Sequence, residues 1–497
     1  MSEAHPPGTY PAVVVGSGPG GLQASYSLSR LGIEHAVLSS DPAPGGMFRS
    51  FPFFQRLITW TKPFAPAERG SRAYGRYDWN SLVADEPAHA APVWELMDGT
   101  SYFPSRAEME GAMVAFAERA GVAVRYGCTW EATRREDDGG FTVVTTDGEY
   151  RCRVVVFAVG MTEAWTPPVP GLDACPHYVE TAAPKAYEGK DVFIVGKRNS
   201  GFELADGLLA SARRIVLGSP RPARLSVIAH STAAARARYL QPYEDHVLGG
   251  GTLVLDAAIE RVERTGSGYR VVAKGTTIPH DWTFDVDHVI AATGFATPMR
   301  DLPDLGVATF YQGGRLPAQT PYWESTTVPG IYFGGSITQG SIGLKKYGVP
   351  SNSSAVHGFR YNARVMAEHI ARTHFGIQPT RRRLEAGALV PLLLSEMAGA
   401  PELWNQQSYL CRVVTASPEA GLTDEGILPL ADFVDAPGRD AVGVTLETDD
   451  TGDIHPALYL RRDGTVTEQV LPGNPLLDFE TAEHRAQLAA AVSWLTG

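Results

Sequence analysis

The sequence predicts an α/β protein made of two Rossmann-like dinucleotide-binding domains followed by a small α+β extension. Three observations carry that prediction. A glycine turn, GSGPGG at 16–21, closes an apolar run (12–15) and opens an amphipathic stretch (22–31), and a second apolar run (36–38) follows at βαβ spacing. The layout returns at 191–217, where the turn reads GKRNSG (196–201). Each copy closes on a further apolar strand ending in an A-x-G turn, AVG at 158–160 and ATG at 292–294.

In the first turn, Gly16 lets the chain bend off its strand, Gly18 lets the backbone lie against a pyrophosphate, and Gly21 lets the helix pack close to the sheet. Pro19 and Gly20 complete the turn, whose helix N–H groups face the phosphates. Ser39 stands where a standard fingerprint has an acid for the ribose hydroxyls, with Asp41 two residues on. Gly45 and Gly46, followed by Met47 and Phe48, offer a second close approach suited to a flat ring or a diphosphate.

Residues 48–94 are rich in aromatics and proline without a clean period, and an irregular insertion of that length is more often functional than not. Each aromatic there can be plain core packing and each charge a solvated one; together they read as a wall over a cofactor. Lys62 and Asn80 are its candidates for catalytic positioning groups. A helix is expected over 105–120, with Ser105 and Glu108 at capping-box spacing. Short alternating strands fill 122–160, and Ala158 and Gly160 face the first cofactor.

In the second copy Gly196, Asn199, Ser200 and Gly201 form the cradle, while Arg198 replaces the middle glycine, where a guanidinium can pair with a diphosphate. Thr293 and Gly294 close it. Ser219 and Arg221, just past the next strand, stand where an acid would select NAD, which favours NADPH and its 2′-phosphate. Arg221 as a mere surface cation would instead leave NADH and NADPH equivalent. Two such units in one chain point to a flavin and a nicotinamide.

A helix beginning near residue 354 carries His357 and Arg360 in its first turns, and its N-terminus would favour negative charge on a reduced flavin ring. Residues 384–410 read as an apolar-faced helix, a lid or a dimer contact. Beyond 411 come short alternating strands and a last helix over 481–495. The expected division is 1–162 with 295–395 for the first domain, 163–294 for the second and 396–497 for the extension.

Net charge −12 over 497 residues argues against nucleic acid or a polybasic membrane contact, and no apolar run is long enough to span a bilayer. Four scattered cysteines without C-x-x-C exclude a local dithiol and fit a reducing, cytoplasmic setting. No histidine pair has metal-ligand spacing, so no metal is expected.

The segments GSGPGGLQ, RLITWTKPF, RYDWNSL, YFPSRAEM, VGKRNSGFELA, VIAATGF, LPAQTPYWESTTVPGIYFGG and VHGFRYNAR are spread along most of the span 13–370. On them the chain resembles the class B, flavin-containing monooxygenase-like oxidoreductases, and within these the FAD-dependent oxidoreductase domain-containing group. The resemblance implies a glutathione-reductase-like pair of domains for FAD and NADPH. It places the FAD diphosphate on Gly16, Gly18 and Gly21, its ribose by Ser39, the flavin-proximal turn at Gly46, Met47 and Phe48, and the adenine by Thr129 and Trp130. It places the NADPH diphosphate on Gly196, Ser200 and Gly201, and the 2′-phosphate by Ser219 and Arg221. The implied reaction is NADPH-dependent: dioxygen adds to C4a of the reduced flavin, and one oxygen atom passes to a small-molecule amine nitrogen or sulfur. The alternatives are Baeyer–Villiger oxidation of a ketone, whose long motif is not recognisable here, and a non-catalytic nucleotide sensor. Trp60 stands where many flavin-containing monooxygenases have Asn, and Ser336 where related flavoproteins have Asp. A homodimer is the family expectation.

Overall fold

The computed structural model describes residues 4–51, 56–226, 235–239, 241–310, 314–344, 346–348 and 351–496. The chain forms two compact units, one of Met1–Arg49, Thr59–Gly160 and Pro298–Gly497, the other of Ser50–Ile58 and Met161–Thr297.

The first unit starts with β1 (Gly8–Val15), α1 (Pro19–Arg30) and β2 (His35–Leu38). The last four residues of β1 are buried on both faces, as a central parallel strand demands. α2 (Arg106–Arg119) begins at the expected capping box: Ser105 accepts from the Glu108 N–H and the Glu108 carboxylate from the Ser105 N–H. Strands β3 (Trp130–Arg135), β4 (Phe141–Thr145) and β5 (Gly148–Phe157) complete a sheet of order β2-β1-β5-β4-β3.

In the second unit a short pair joins β6 (Glu163–Ala164) to β13 (Phe295–Ala296). Its main sheet contains β7 (Asp191–Val195), β8 (Arg214–Ser219), β9 (Thr252–Arg264), β10 (Tyr269–Gly275), β11 (Asp281–Val286) and β12 (His288–Ala291), in the order β11-β10-β9-β8-β7-β12. Helix α3 (Asn199–Leu208) leaves the β7 turn. Strand β7 lies parallel between β8 and β12, as β1 lies between β2 and β5. Part of the aromatic insertion joins this unit, because Phe51 packs on Tyr178 and Phe295 at 6.1 and 5.3 Å between ring centroids.

Returning to the first unit, the chain makes the pair β14 (Thr309–Phe310) with β15 (Leu316–Pro317). Strand β16 (Ile331–Phe333) then adds parallel to β5, and α4 (Val356–Phe375) packs on α1. α4 ends at Gly376, whose φ of +67° closes the helix in the left-handed region.

A third sheet contains β17 (Arg382–Leu384), β18 (Leu410–Ser417), β19 (Gly421–Pro429), β20 (Ala441–Thr448), β21 (Ile454–Arg462) and β22 (Thr465–Val470), in the order β17-β19-β18-β20-β21-β22. It begins at Arg382, ahead of residue 396, because Arg382–Leu384 pairs with Asp424, Thr423 and Leu422. The stretch expected as a lid or dimer contact is instead core. Leu389, Leu393, Leu394 and Met397 of α5 (Leu389–Gly399) are buried with Val442, Val444, Leu458 and Phe479, under the last helix α6 (Ala482–Thr496).

Candidate functional site

The carboxyl ends of four parallel strands meet in register in the first unit. Val15 lies beside Leu38 and Phe157, and Phe157 beside Phe333. Each strand runs into a turn. Gly16 donates to the Leu38 carbonyl at 2.7 Å, Ala158 to Val15 at 2.8 Å, and Gly334 to Phe157 at 2.9 Å. This is the crevice end of an open α/β sheet.

The glycines of GSGPGG serve different needs. Gly16 has φ +116°, and a Cβ there would run into the Ala158 carbonyl; one on Gly21 would run into the Gly16 carbonyl, and one on Gly20 into the backbone of Gly335. Gly18 is different. Its φ of −70° suits any residue, and a Cβ would meet nothing closer than Gly46 Cα at 3.7 Å. The chain's own contacts leave that side-chain position open, on a helix whose N-cap makes no side-chain hydrogen bond and whose first turn carries no acid. A bound diphosphate fits that requirement.

Around this turn, Ser39 is buried. Its hydroxyl lies 2.8 Å from that of Ser17 and accepts from the Asp41 N–H at 3.2 Å, so Ser39 shapes the loop while Asp41 supplies the carboxylate. Burial raises the Asp41 pKa. Gly45 donates to Ser17 at 3.2 Å, which docks the short helix carrying Met47 and Phe48 against the glycine turn. Thr129 pairs its N–H with the Thr146 hydroxyl at 3.0 Å. The indole of Trp130 is turned away into the core, 4.6 Å from the Phe157 ring and donating to Thr133, so it is not a side-chain contact for an adenine. Gly160, φ +71°, follows Ala158 out of β5.

The insertion is fastened to the first turns of α4. Arg360, only 2 % exposed, donates to the carbonyls of Ser81, Gly75 and Asp78 at 2.6, 2.8 and 2.6 Å. The fully buried His357 ring stacks on Trp79 at 4.4 Å, and Trp79 packs tilted against Trp60 at 5.0 Å. The Asp78 carboxylate accepts from Thr61, Asn80 and Ser81. Asn80 is spent within this lattice: its amide donates to the Thr59 carbonyl and the Thr61 hydroxyl and accepts from Thr59. It holds the loop and has no donor left for a substrate. Lys62 lies 6.0 Å from the Trp60 ring.

The second unit repeats the first turn. Gly196, φ +132°, would clash through a Cβ with the Ala292 carbonyl, and Gly201 with Gly196. Arg198, the N-cap of α3, is exposed at φ −112°, so the backbone needs no glycine there. Asn199 and Ser200 open the helix, which also lacks a side-chain cap. The Thr293 hydroxyl donates to Trp165 at 2.5 Å, and the Gly294 carbonyl accepts from His177 at 3.1 Å. Ser219 ends β8 beside Asp256 of β9, and Arg221 is exposed just beyond. Lys197, unremarked in the sequence, is buried with its ammonium on Asp256, and Asp256 also accepts from Thr277 at 2.8 Å.

Two like-built cradles, each at the end of parallel strands, match what a family model sees. That model, described as pyridine nucleotide-disulphide oxidoreductase, covers residues 13–335. The chain belongs to this family. As a pyridine nucleotide oxidoreductase it lacks a C-x-x-C pair, and its four cysteines, Cys128, Cys152, Cys175 and Cys411, are free and buried. Burial pushes the Cys152 and Cys175 thiols up to about 12 and about 11. Among curated relatives it is 27 % identical over 422 residues to the FAD-dependent oxidoreductase domain-containing protein 2 of Danio rerio, a match covering 73 % of this chain and 59 % of that protein. It is 26 % identical to a ferredoxin–NADP reductase of Salinispora tropica, over 69 % of this chain and 91 % of that one. The flavin-containing monooxygenase from Stenotrophomonas maltophilia has the same fold, with TM-score 0.54, 19 % identity and coverage of 73 % and 98 %.

Proposed function

We propose that this flavin oxidoreductase, which binds FAD and NADP(H), is an NADPH-dependent monooxygenase acting on a nitrogen or sulfur of a small molecule. When bound, the FAD–NADPH pair supplies two electrons to dioxygen, so that NADPH, a proton, dioxygen and substrate give NADP⁺, water and substrate carrying one oxygen atom. The observation that carries the reading is the combination of two nucleotide cradles with four buried, scattered thiols. With no dithiol in the chain to receive the electrons, dioxygen is the acceptor that needs least from the protein.

The chain's own residues then bind, orient and exclude water. Gly18 and the bare N-terminus of α1 hold one diphosphate, and Gly196, Ser200 and Gly201 the other. His357, fully buried at the start of α4, sits at the helix end that favours negative charge, an effect of about 0.3–1 kcal/mol for exposed groups and more when buried. The Arg360 clamp keeps the aromatic insertion closed over that helix end. Lys62 remains the positioning candidate, whereas Asn80 acts through the loop. We further expect a homodimer in the cytoplasm; among the described residues no helix is long and apolar enough to cross a membrane.

The test is oxygen-18 dioxygen with NADPH and panels of amines, thiols and ketones. Label in an amine or thiol product is expected. Label only in a ketone-derived ester would assign Baeyer–Villiger chemistry, and NADPH oxidation without any labelled product would refute the proposal.

A further inference from the structure

Two cations sit beside the second cradle, Lys197 buried and Arg236 half-buried, and they differ in their partners. Lys197 has a carboxylate partner in Asp256. Arg236 has none. Its Nε and one terminal nitrogen are buried without a hydrogen-bond partner, and no other arginine among the described residues has two such nitrogens. Arg360 and Arg461 each have only Nε buried and unpaired, while both terminal nitrogens of Arg360 and one of Arg461 bind carbonyls. Burial lowers the Arg236 pKa, and Tyr239 is the neighbour that counters it. A guanidinium held this way costs stability unless something anionic arrives to satisfy it.

Its position says what would arrive. The Arg236 N–H donates to Asn199 Oδ1 at 3.0 Å, the first residue of α3. The preceding residue, Ala235, pairs with Leu225 and exchanges backbone hydrogen bonds with Arg224 and Ser226, in the loop that follows Arg221. Arg236 therefore lies between the uncapped start of α3 and the loop beyond β8, the two places where a dinucleotide carries its phosphates. We propose that Arg236 is a phosphate ligand of the nucleotide in the second unit, its charge left unpaired by the protein so that the diphosphate or the 2′-phosphate can pair with it. The inference rests on the reading that this unit takes NADP(H).

Calorimetric dissociation constants for NADP⁺ and NAD⁺, measured on the FAD-loaded protein without turnover, test it alongside the melting midpoint of the nucleotide-free form. Arg236→Met is expected to weaken NADP⁺ by about tenfold or more, as loss of a charge-assisted contact does, while leaving the midpoint unchanged or raised. Arg236→Lys, which keeps the charge but not the fork, is expected to fall between. Weakening of both nucleotides identifies the diphosphate as the partner and weakening of NADP⁺ alone the 2′-phosphate; either upholds the proposal. NADP⁺ affinity within about twofold of wild type, or a lowered midpoint in Arg236→Met, overturns it. A wild-type protein that binds neither nucleotide overturns the reading of the unit as well.

Discussion

Gly18→Ala separates a glycine kept for a ligand from one kept for the fold. At φ −70° and ψ 179° alanine is unstrained, and its methyl would meet only Gly46 Cα at 3.7 Å, an ordinary contact. Alanine is a poorer N-cap than glycine by about 0.5–1 kcal/mol. Restricting the unfolded chain returns about 0.4–1 kcal/mol, so the apoprotein should melt as wild type does. The methyl, however, occupies the face on which the backbone meets the diphosphate. Lengthening even one charge-assisted N–H contact is worth about 1.4 kcal/mol, tenfold in FAD affinity. Gly20→Ala is the control, because its Cβ would collide with the backbone of Gly335 and should destabilise the apoprotein by about 1–3 kcal/mol or more. The assay is apoprotein melting together with FAD titration followed by flavin fluorescence. Gly18→Ala that binds FAD as wild type does, or that melts as early as Gly20→Ala, would refute the reasoning.

Other outcomes follow from buried charge. Arg72 grips Glu396 and Glu402, which are 2 % and 6 % exposed, at 2.6 and 2.9 Å, so Arg72→Met should cost about 3 kcal/mol in urea unfolding by leaving two buried carboxylates with only the longer contacts to Arg412 at 3.7 Å and Arg364 at 4.0 Å. His369, stacked on Tyr322, has its pKa lowered by burial from 6.5 to about 4. The unfolded chain therefore takes up that proton first, and the contribution of His369, full above pH 6.5, is lost as pH falls through 4; His369→Gln should flatten the melting profile across that window. The four thiols should resist an aromatic disulfide reagent at pH 8 in the native protein and all react once it is unfolded.

What the sequence made legible was local. The glycine turns, the capping box at Ser105 and the buried strands announce themselves within a few residues, since turn sterics and helix caps act over that range. Trp130 illustrates the limit: a residue beside a cofactor segment need not face it, and strand alternation sends this indole inward against Phe157. Asn80 reads as a candidate by type, but its hydrogen bonds to Thr59 and Thr61, about twenty residues back, could only be seen in three dimensions. Gly20 and Gly335 explain each other across more than 300 positions. Lys197 carried a faint signal, as a cation within a glycine turn, whereas Arg236 lies far beyond that turn in the sequence and is brought to it only by the fold; one is neutralised by Asp256 and the other is not.

The C-terminal sheet is where long-range packing changes the functional reading most. Read as an appendage, it would be dispensable for the FAD side. Instead Tyr409 donates to Ser341 and to the Pro321 carbonyl at 2.6 and 3.0 Å, and its ring leaves no room for a side chain on Gly343. Gln406 donates to Ser353, just ahead of α4, and Glu447 takes the Lys346 ammonium at 2.8 Å. Arg72 and Arg76 of the aromatic insertion rest on Glu396, Glu402 and Trp404. The stretches after Gly335 and the insertion that walls the start of α4 are thus braced by residues beyond 395. Cutting the chain there would remove those braces, sever α5 and expose its Leu389, Leu393 and Leu394, so activity lost on truncation would report a collapsed FAD-side loop and not a missing catalytic group.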